Sequence, residues 1–199
     1  MPLNVSVADY GVGNLHSIRK ALENCGAKVT VLTGMKGLID ADCIVLPGVG
    51  AFSRTMERLL HYKEDIVERL DSGVPCLGIC IGAQILFDGS EEGSNPGLGF
   101  IAGKVVKLKG KRIPHMGWNT VETEDDIFQG IESRHFYFAH SYYGEPKEDV
   151  VIGTTEYYSR FPTLFRKANT YGTQFHPEKS SASGMKFLEN FVRFAEGCT

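Results

Sequence analysis

The stretch Val74-Pro75-Cys76-Leu77-Gly78-Ile79-Cys80-Ile81-Gly82-Ala83-Gln84 decides how this chain is read. Its apolar run over residues 74–79 predicts a buried strand, the glycines at 78 and 82 predict a sharp turn at Cys80, and Ala83, Ile85, Leu86 and Phe87 predict a helix after it. Gly78-Ile79-Cys80-Ile81-Gly82 is a G-x-nucleophile-x-G elbow with cysteine in the nucleophile position. Such a strained turn demands flanking glycines, because a Cβ on either side would clash. A cysteine there lies at a helix N-terminus, whose partial positive charge favours the thiolate. Taken alone, the pattern also fits a buried cysteine between two packing glycines.

Upstream, residues 5–8, 29–32 and 43–46 predict strands, and residues 14–24 and 52–70 predict helices. That alternation is the signature of β-α units building a parallel sheet. Downstream of Gly89, residues 105–108, 119–122, 136–142, 150–154 and 162–166 predict strands joined without long helices, hence antiparallel or mixed sheet. A last strand at 173–175 precedes an amphipathic helix carrying Phe187, Leu188, Phe191, Phe194 and Ala195. The expected fold is α/β: a doubly wound, mostly parallel sheet flanked by helices, with an added antiparallel or mixed sheet in the C-terminal half, as one domain over residues 1–199.

Composition excludes several classes of function. With 42% hydrophobic and 23% charged residues the chain has no disordered, collagenous or coiled-coil character, and a net charge of -3 offers no basic field to nucleic acid or membrane. No apolar run approaches the ~20 residues of a membrane span, and the first residues lack the charged and apolar regions of a signal peptide, so the expected location is the cytoplasm. Five irregularly placed cysteines, at 25, 43, 76, 80 and 198, argue against a disulfide framework. Cys76 and Cys80 lack a second pair at zinc spacing, so no metal is expected. The loops Gly11-Val12-Gly13 and Gly48-Val49-Gly50 do not complete G-x-G-x-x-G, since His16 and Ser53 hold the third position, and there is no Walker loop. No cofactor is expected.

The run Gln174-Phe175-His176-Pro177-Glu178 supplies partners for Cys80. Pro177 holds His176 out of the helical region, and in an extended segment residues i and i+2 project to one side, so Glu178 can orient the His176 ring. Cysteine, histidine and glutamate fill the three roles of a nucleophilic triad. His16, His61, His115, His135 and His140 read as satisfied surface or core groups. An acyl-transfer site also needs oxyanion donors. The Ile81 N–H is one, and the loop at Val49 and Gly50 is the natural source of the other, its glycines allowing the peptide plane to turn.

These residues resemble the class I glutamine amidotransferases, whose markers are the G-x-C-x-G elbow and the H-P-E run. The segments Asp9-Tyr10-Gly11-Val12-Gly13-Asn14-Leu15, Ser90-Glu91-Glu92-Gly93 and Pro114-His115-Met116-Gly117-Trp118-Asn119, with residues 46–52 and 174–180, are similar to the glutaminase subunits of the imidazole glycerol phosphate synthases. The resemblance implies hydrolysis of glutamine through a thioester on Cys80, with the substrate's α-amino and carboxylate ends near Gly50, Gln84, Glu92, Ser141 and Tyr142. An exposed acidic turn is the alternative for Glu91-Glu92. It also implies a heterodimer with a (β/α)8-barrel cyclase that receives the ammonia, docked over Asn14, His115, Met116, Gly117, Trp118, Asn119, Tyr137 and Lys179. Core packing is the alternative for Trp118. Rival readings are a stand-alone hydrolase with the same triad, a catalytically silent regulatory subunit, and the glutaminase of another pathway.

A diazo-ketone analogue of glutamine should label Cys80 alone among the five cysteines, because only that thiol lies beside a base at a helix start. Peptide mapping reads the site, and a label on any other cysteine contradicts the assignment.

Overall fold

The computed structural model describes residues 1–11, 15–48 and 50–198. In chain order the elements are β1 (Asn4–Ala8), α1 (His16–Asn24), β2 (Lys28–Leu32), β3 (Cys43–Leu46), α2 (Phe52–Leu59), α3 (Lys63–Asp71), β4 (Cys76–Ile79), α4 (Ile81–Gln84), β5 (Phe87–Ser90), β6 (Gly93–Pro96), β7 (Ile101–Lys107), β8 (His115–Thr120), β9 (Glu122–Thr123), β10 (His135–His140), β11 (Tyr142–Pro146), β12 (Val151–Tyr157), β13 (Ser159–Lys167), β14 (Thr170–Thr173) and α5 (Ser181–Glu196).

Eight strands form the central sheet in the order β2-β1-β3-β4-β14-β13-β12-β9. The first five run parallel. The order of those five, with β14 in the fifth place, is the doubly wound 2-1-3-4-5 arrangement, in which sites form outside the carboxyl ends of the strands. The inner strands β3, β4 and β14 are buried along their whole length, as the middle of a parallel sheet requires, while the edge strand β2 is only partly covered. In β3, Cys43 and Val45 enter one core with Ile18 and Leu22 of α1 and Phe187 and Phe191 of α5, while Ile44 and Leu46 enter the other with Met56 of α2 and Ile66 of α3. Among the described residues no helix is long and apolar enough to cross a membrane.

The C-terminal strands do not form one separate sheet. β13, β12 and β9 extend the central sheet in antiparallel fashion, β10 and β8 form a two-stranded sheet, and β11 and β7 join β5 and β6 in a four-stranded sheet. The helix expected over 52–70 is broken by a 3₁₀ turn at Leu60–Tyr62. No glycine or proline in that stretch marks the break. The helix expected through Phe87 stops after one turn. The carbonyls of Ile85, Leu86 and Phe87 accept the N–H groups of Leu98, Ile101 and Gly99, at 2.7, 2.9 and 3.0 Å, so tertiary pairing takes the acceptors a longer helix would use.

The elbow glycines are required by contact. An ideal Cβ on Gly82 would lie 1.9 Å from the Leu46 carbonyl oxygen, and one on Gly78 would lie 2.6 Å from that of Gly82. Gly82→Ala should therefore destabilise the fold by roughly 3 kcal/mol, as overpacking against backbone does. Gly34→Ala, where nothing lies within 4 Å, should stay within about 0.5 kcal/mol of the parent. Urea unfolding midpoints compare the two.

Candidate active site

Cys80 joins the end of β4 to α4 with φ +50° and ψ -106°, a backbone conformation that L-residues rarely adopt. Its own N–H donates to the Thr173 carbonyl at 2.6 Å, and the N–H groups of Ala83 and Gln84 donate to its carbonyl at 3.1 and 3.0 Å. The first intrahelical bonds thus begin beyond Ile81, whose N–H precedes them at the start of the turn. The helix is a single turn, so its dipole is a smaller asset to Cys80 than a long helix would be.

His176 and Glu178 come from the segment after β14. The expectation of a fully extended segment is corrected here: His176 is extended, with φ -103° and ψ 94°, but Pro177–Lys179 is a 3₁₀ turn. That turn folds Glu178 back so that its Oε1 accepts the His176 Nδ1–H at 2.8 Å. The imidazole lies beside Cys80, whose thiol acts on it electrostatically, and Nε2 is the ring nitrogen not bonded to Glu178. Both side chains are buried. Gly48 makes the approach possible, because an ideal Cβ on it would sit 2.8 Å from His176 Cε1 and 3.1 Å from Cys80 Cβ. The backbone of His176 is clamped by β10: its N–H donates to the Tyr137 carbonyl at 2.9 Å, while the Tyr137 N–H donates to Ser180 Oγ, whose hydroxyl donates to the His176 carbonyl.

Burial is the largest influence on His176 and disfavours its charged form. It is outweighed by the negative charge and hydrogen bond of Cys80 and by Glu178, which together raise the pKa to about 9. Burial pushes the Cys25 thiol up to about 11 and the Cys43 and Cys76 thiols well above the ordinary range. Those three are poor nucleophiles. Cys198 is exposed, and all five cysteines are free.

Beside Cys80 opens a cleft of about 390 Å³, lined by Gly48, Gly50, Ile81, Gln84, Glu92, Ser141 and Tyr142, with Pro114, Met116, Ala139 and His140. All five residues expected at the substrate ends line it. Gly50 sits at φ +102°, a region that favours glycine. Val49, expected at the oxyanion site, lies outside the described residues, as does Asn14 of the expected docking face. Glu92 is exposed, yet its Oε2 accepts the Phe52 N–H at 3.0 Å and steadies the start of α2. Its other oxygen keeps full acceptor capacity.

On the expected docking face, Met116 is 64% exposed and Trp118 53% exposed, which rules out core packing for Trp118. Trp118 pairs across the ladder with Tyr137, the residue that clamps His176. Lys179 is exposed. His115 is corrected: at 2% exposure it presents no surface, because alternation along β8 turns it inward between Phe138 and Tyr157. It bonds to His140 instead, Nδ1 to Nε2 at 3.0 Å. Burial lowers the pKa of His115 to about 4 and that of His140 to about 3, so both are neutral near pH 7.

Sequence reasoning gave no role to Gln174, whose Nε2–H donates to Cys80 Sγ at 3.5 Å. The available signal was its place two residues before His176. The intervening Phe175 is buried in the aromatic core beside Phe136. Among the described residues no three His, Cys, Asp or Glu side chains are grouped to hold a metal ion.

Residues 6–194 match the family described as glutamine amidotransferase class-I, and the chain belongs to that family. It is 48% identical over 193 residues to the imidazole glycerol phosphate synthase subunit HisH of Methanocaldococcus jannaschii, covering 94% of this chain and 98% of that one. Against the subunit of the same name from Thermococcus kodakarensis the identity is 45%, covering 95% and 99%. Among solved structures, a glutamine amidotransferase superposes with a TM-score of 0.76 at 19% identity, covering 96% and 98% of the two chains. Another, from Thermotoga maritima, gives 0.65 at 20% identity, covering 99% and 85%. At such identities the structures establish the shared fold.

Protonated His176 stabilises the fold below its ordinary pKa of 6.5, and that contribution is lost as pH rises through about 9. Ring NMR titration should find the His176 midpoint near 9 in the parent chain. In Cys80→Ala it should be lower, since burial remains while the thiolate is gone. An unchanged midpoint would remove Cys80 as its partner.

Proposed function

We propose that this chain is the glutaminase subunit of an imidazole glycerol phosphate synthase, hydrolysing glutamine and passing ammonia to a (β/α)8-barrel cyclase subunit in the cytoplasm. The observation that carries this reading is the convergence of His176 and Glu178 on Cys80, which itself lines a cleft large enough for a small amino acid. The names of the relatives, at 45–48% identity over nearly the full chain, support the assignment to histidine biosynthesis.

The reaction runs in two halves. The Cys80 thiolate attacks the side-chain amide carbon of glutamine, and negative charge passes to the amide oxygen, which the Ile81 N–H and a peptide N–H of the Val49–Gly50 loop receive. Imidazolium His176 gives its Nε2 proton to the amide nitrogen, the C–N bond breaks, and ammonia leaves a γ-glutamyl thioester on Sγ. Neutral His176 then takes a proton from water as its oxygen attacks the thioester carbonyl. The C–S bond breaks, glutamate leaves, and the thiolate-imidazolium pair is restored. Glu178 holds the ring and balances its charge throughout. In the cleft, Glu92 pairs with the substrate α-ammonium, while Gly50, Gln84, Ser141 and Tyr142 enclose its α-carbon end.

The docking face is built on β8 around Met116 and Trp118, with Gly117, Asn119, Tyr137 and Lys179, and Asn14 is assigned to it by the family resemblance alone. Exposed aromatic and methionine side chains are the usual anchors of interface centres. Tyr137 faces Trp118 across the ladder and clamps the His176 backbone, so the partner's footing adjoins the base itself. The glycines of the oxyanion loop make hole formation the natural point of control.

Glutamate production by the chain alone, by its complex with the cyclase, and by the complex with cyclase ligand tests the proposal. The chain alone should be slow and the liganded complex faster by roughly two to three orders of magnitude, the worth of one oxyanion donor. Equal turnover in all three would favour a stand-alone hydrolase. Cys80→Ala should bind the cyclase normally and lose more than ~1000-fold in turnover. Near-normal ammonia release by that variant would sink the triad.

A further inference from the structure

The Cys80 sulfur has a second neighbour besides His176, and hydrogen-bond accounting determines what that neighbour offers. The Tyr142 backbone carbonyl can only accept. It receives Gln84 Nε2 at 2.8 Å and His140 Nδ1 at 2.8 Å, which engages both lone pairs and leaves the Gln84 amide one orientation. The second N–H of Gln84 then points at Gln174, 3.1 Å away, so the near atom of Gln174 is its carbonyl Oε1. Gln174 must therefore turn its amino group to Cys80 Sγ, at 3.5 Å. A main-chain carbonyl thus sets two side-chain amides in series and ends the series in a donor. The His140 end is set as well: Asn119 Nδ2–H donates to His115 Nε2 at 3.2 Å, His115 Nδ1–H donates to His140 Nε2, and neutral His140 keeps its proton for Tyr142.

We propose that Gln174 is a further working residue of the glutaminase site: its amide donates a hydrogen bond to Cys80 Sγ, holding the sulfur as thiolate in the orientation for attack. This deepens the function proposed above and rests on Cys80 being the nucleophile. Gln174 is 1% exposed and touches the reacting atom directly. Donation to a charged sulfur is stronger than donation to a neutral one, so the contact favours the form that attacks and weakens once the thioester forms. A corollary concerns Gln84: both of its N–H groups are committed inside the protein, so only its Oε1 faces bound glutamine, as an acceptor for an N–H of the substrate.

Gln174→Met keeps the volume and removes the donor, and Gln174→Glu sets an acceptor against the thiolate. In the cyclase complex, Gln174→Met should lower kcat for glutamine roughly 10- to 100-fold with KM within about threefold, and Gln174→Glu should lower it further. A second readout needs no turnover: the pH midpoint of Cys80 alkylation by iodoacetamide should move upward in Gln174→Met. The parent chain is its own control against misfolded variants. With glutamine side chains labelled with ¹⁵N, alkylating Cys80 should shift the Gln174 amide resonance strongly. Unchanged kcat together with an unmoved alkylation midpoint would overturn the inference, as would a Gln174 resonance indifferent to alkylation. If the parent complex hydrolyses no glutamine, the proposed function fails by itself, and the alkylation and resonance readouts still decide whether Gln174 serves the thiol.

Discussion

The carbonyl oxygen of Leu46 lies where a Cβ on residue 82 would have to be, 1.9 Å from its ideal position. This contact brings the one-turn helix after Cys80 down onto the end of β3, and the rest of the site follows from it. With α4 seated there, the chain can leave β4 only by the tight turn that puts Cys80 at φ +50°. That turn lifts the thiol out of the sheet at the carboxyl ends of β3, β4 and β14. The same close packing brings Gly48 beneath His176, where any side chain would push the imidazole away from the sulfur. Strain at one residue is sustained because the strands around it are buried on both faces and cannot yield.

Polar groups buried around this turn are satisfied by one another. Gln174, Gln84, the Tyr142 carbonyl, His140, His115 and Asn119 form a continuous series from the sulfur to the strand carrying Met116 and Trp118. In a low-dielectric interior such a series is demanding, since one lost partner leaves a neighbour unpaired. It also explains why two histidines near the cleft are not bases. Burial keeps both neutral, and their ring protons are spent on orientation. His176 differs because Cys80 and Glu178 lie on either side of it and together outweigh its burial.

The position of β10 joins chemistry to surface. Its residue Tyr137 is bonded through both backbone groups to the loop that carries His176, and it stands opposite Trp118 in the pairing with β8. Among the described residues β8 and β10 form a two-stranded sheet of their own, tied to the rest through the Tyr137–His176 bridge. A protein seated on Met116 and Trp118 would press on the ribbon that clamps the His176 backbone.

The residues alone determined a good deal about this protein. The apolar strand between helical stretches, the glycines around Cys80 and the His176-Pro177-Glu178 run were readable because each is a local demand: alternation, absence of a Cβ, a restricted φ. The parallel half of the sheet and the choice of Cys80, His176 and Glu178 as candidates followed from those demands. The tertiary structure alone decided the rest. The helix after Cys80 ends after one turn because residues 98–101 take its carbonyls, and no local signal announces that competition. Glu178 reaches His176 through a 3₁₀ turn in place of strand alternation. His115 turns inward while its neighbours face out, since strand register, and not residue type, chooses the face. Gln174 acquires its contact with Cys80 from an amide orientation imposed by a carbonyl 32 positions back along the chain. Long-range hydrogen bonds are invisible in sequence because they depend on which distant acceptor folding leaves unoccupied.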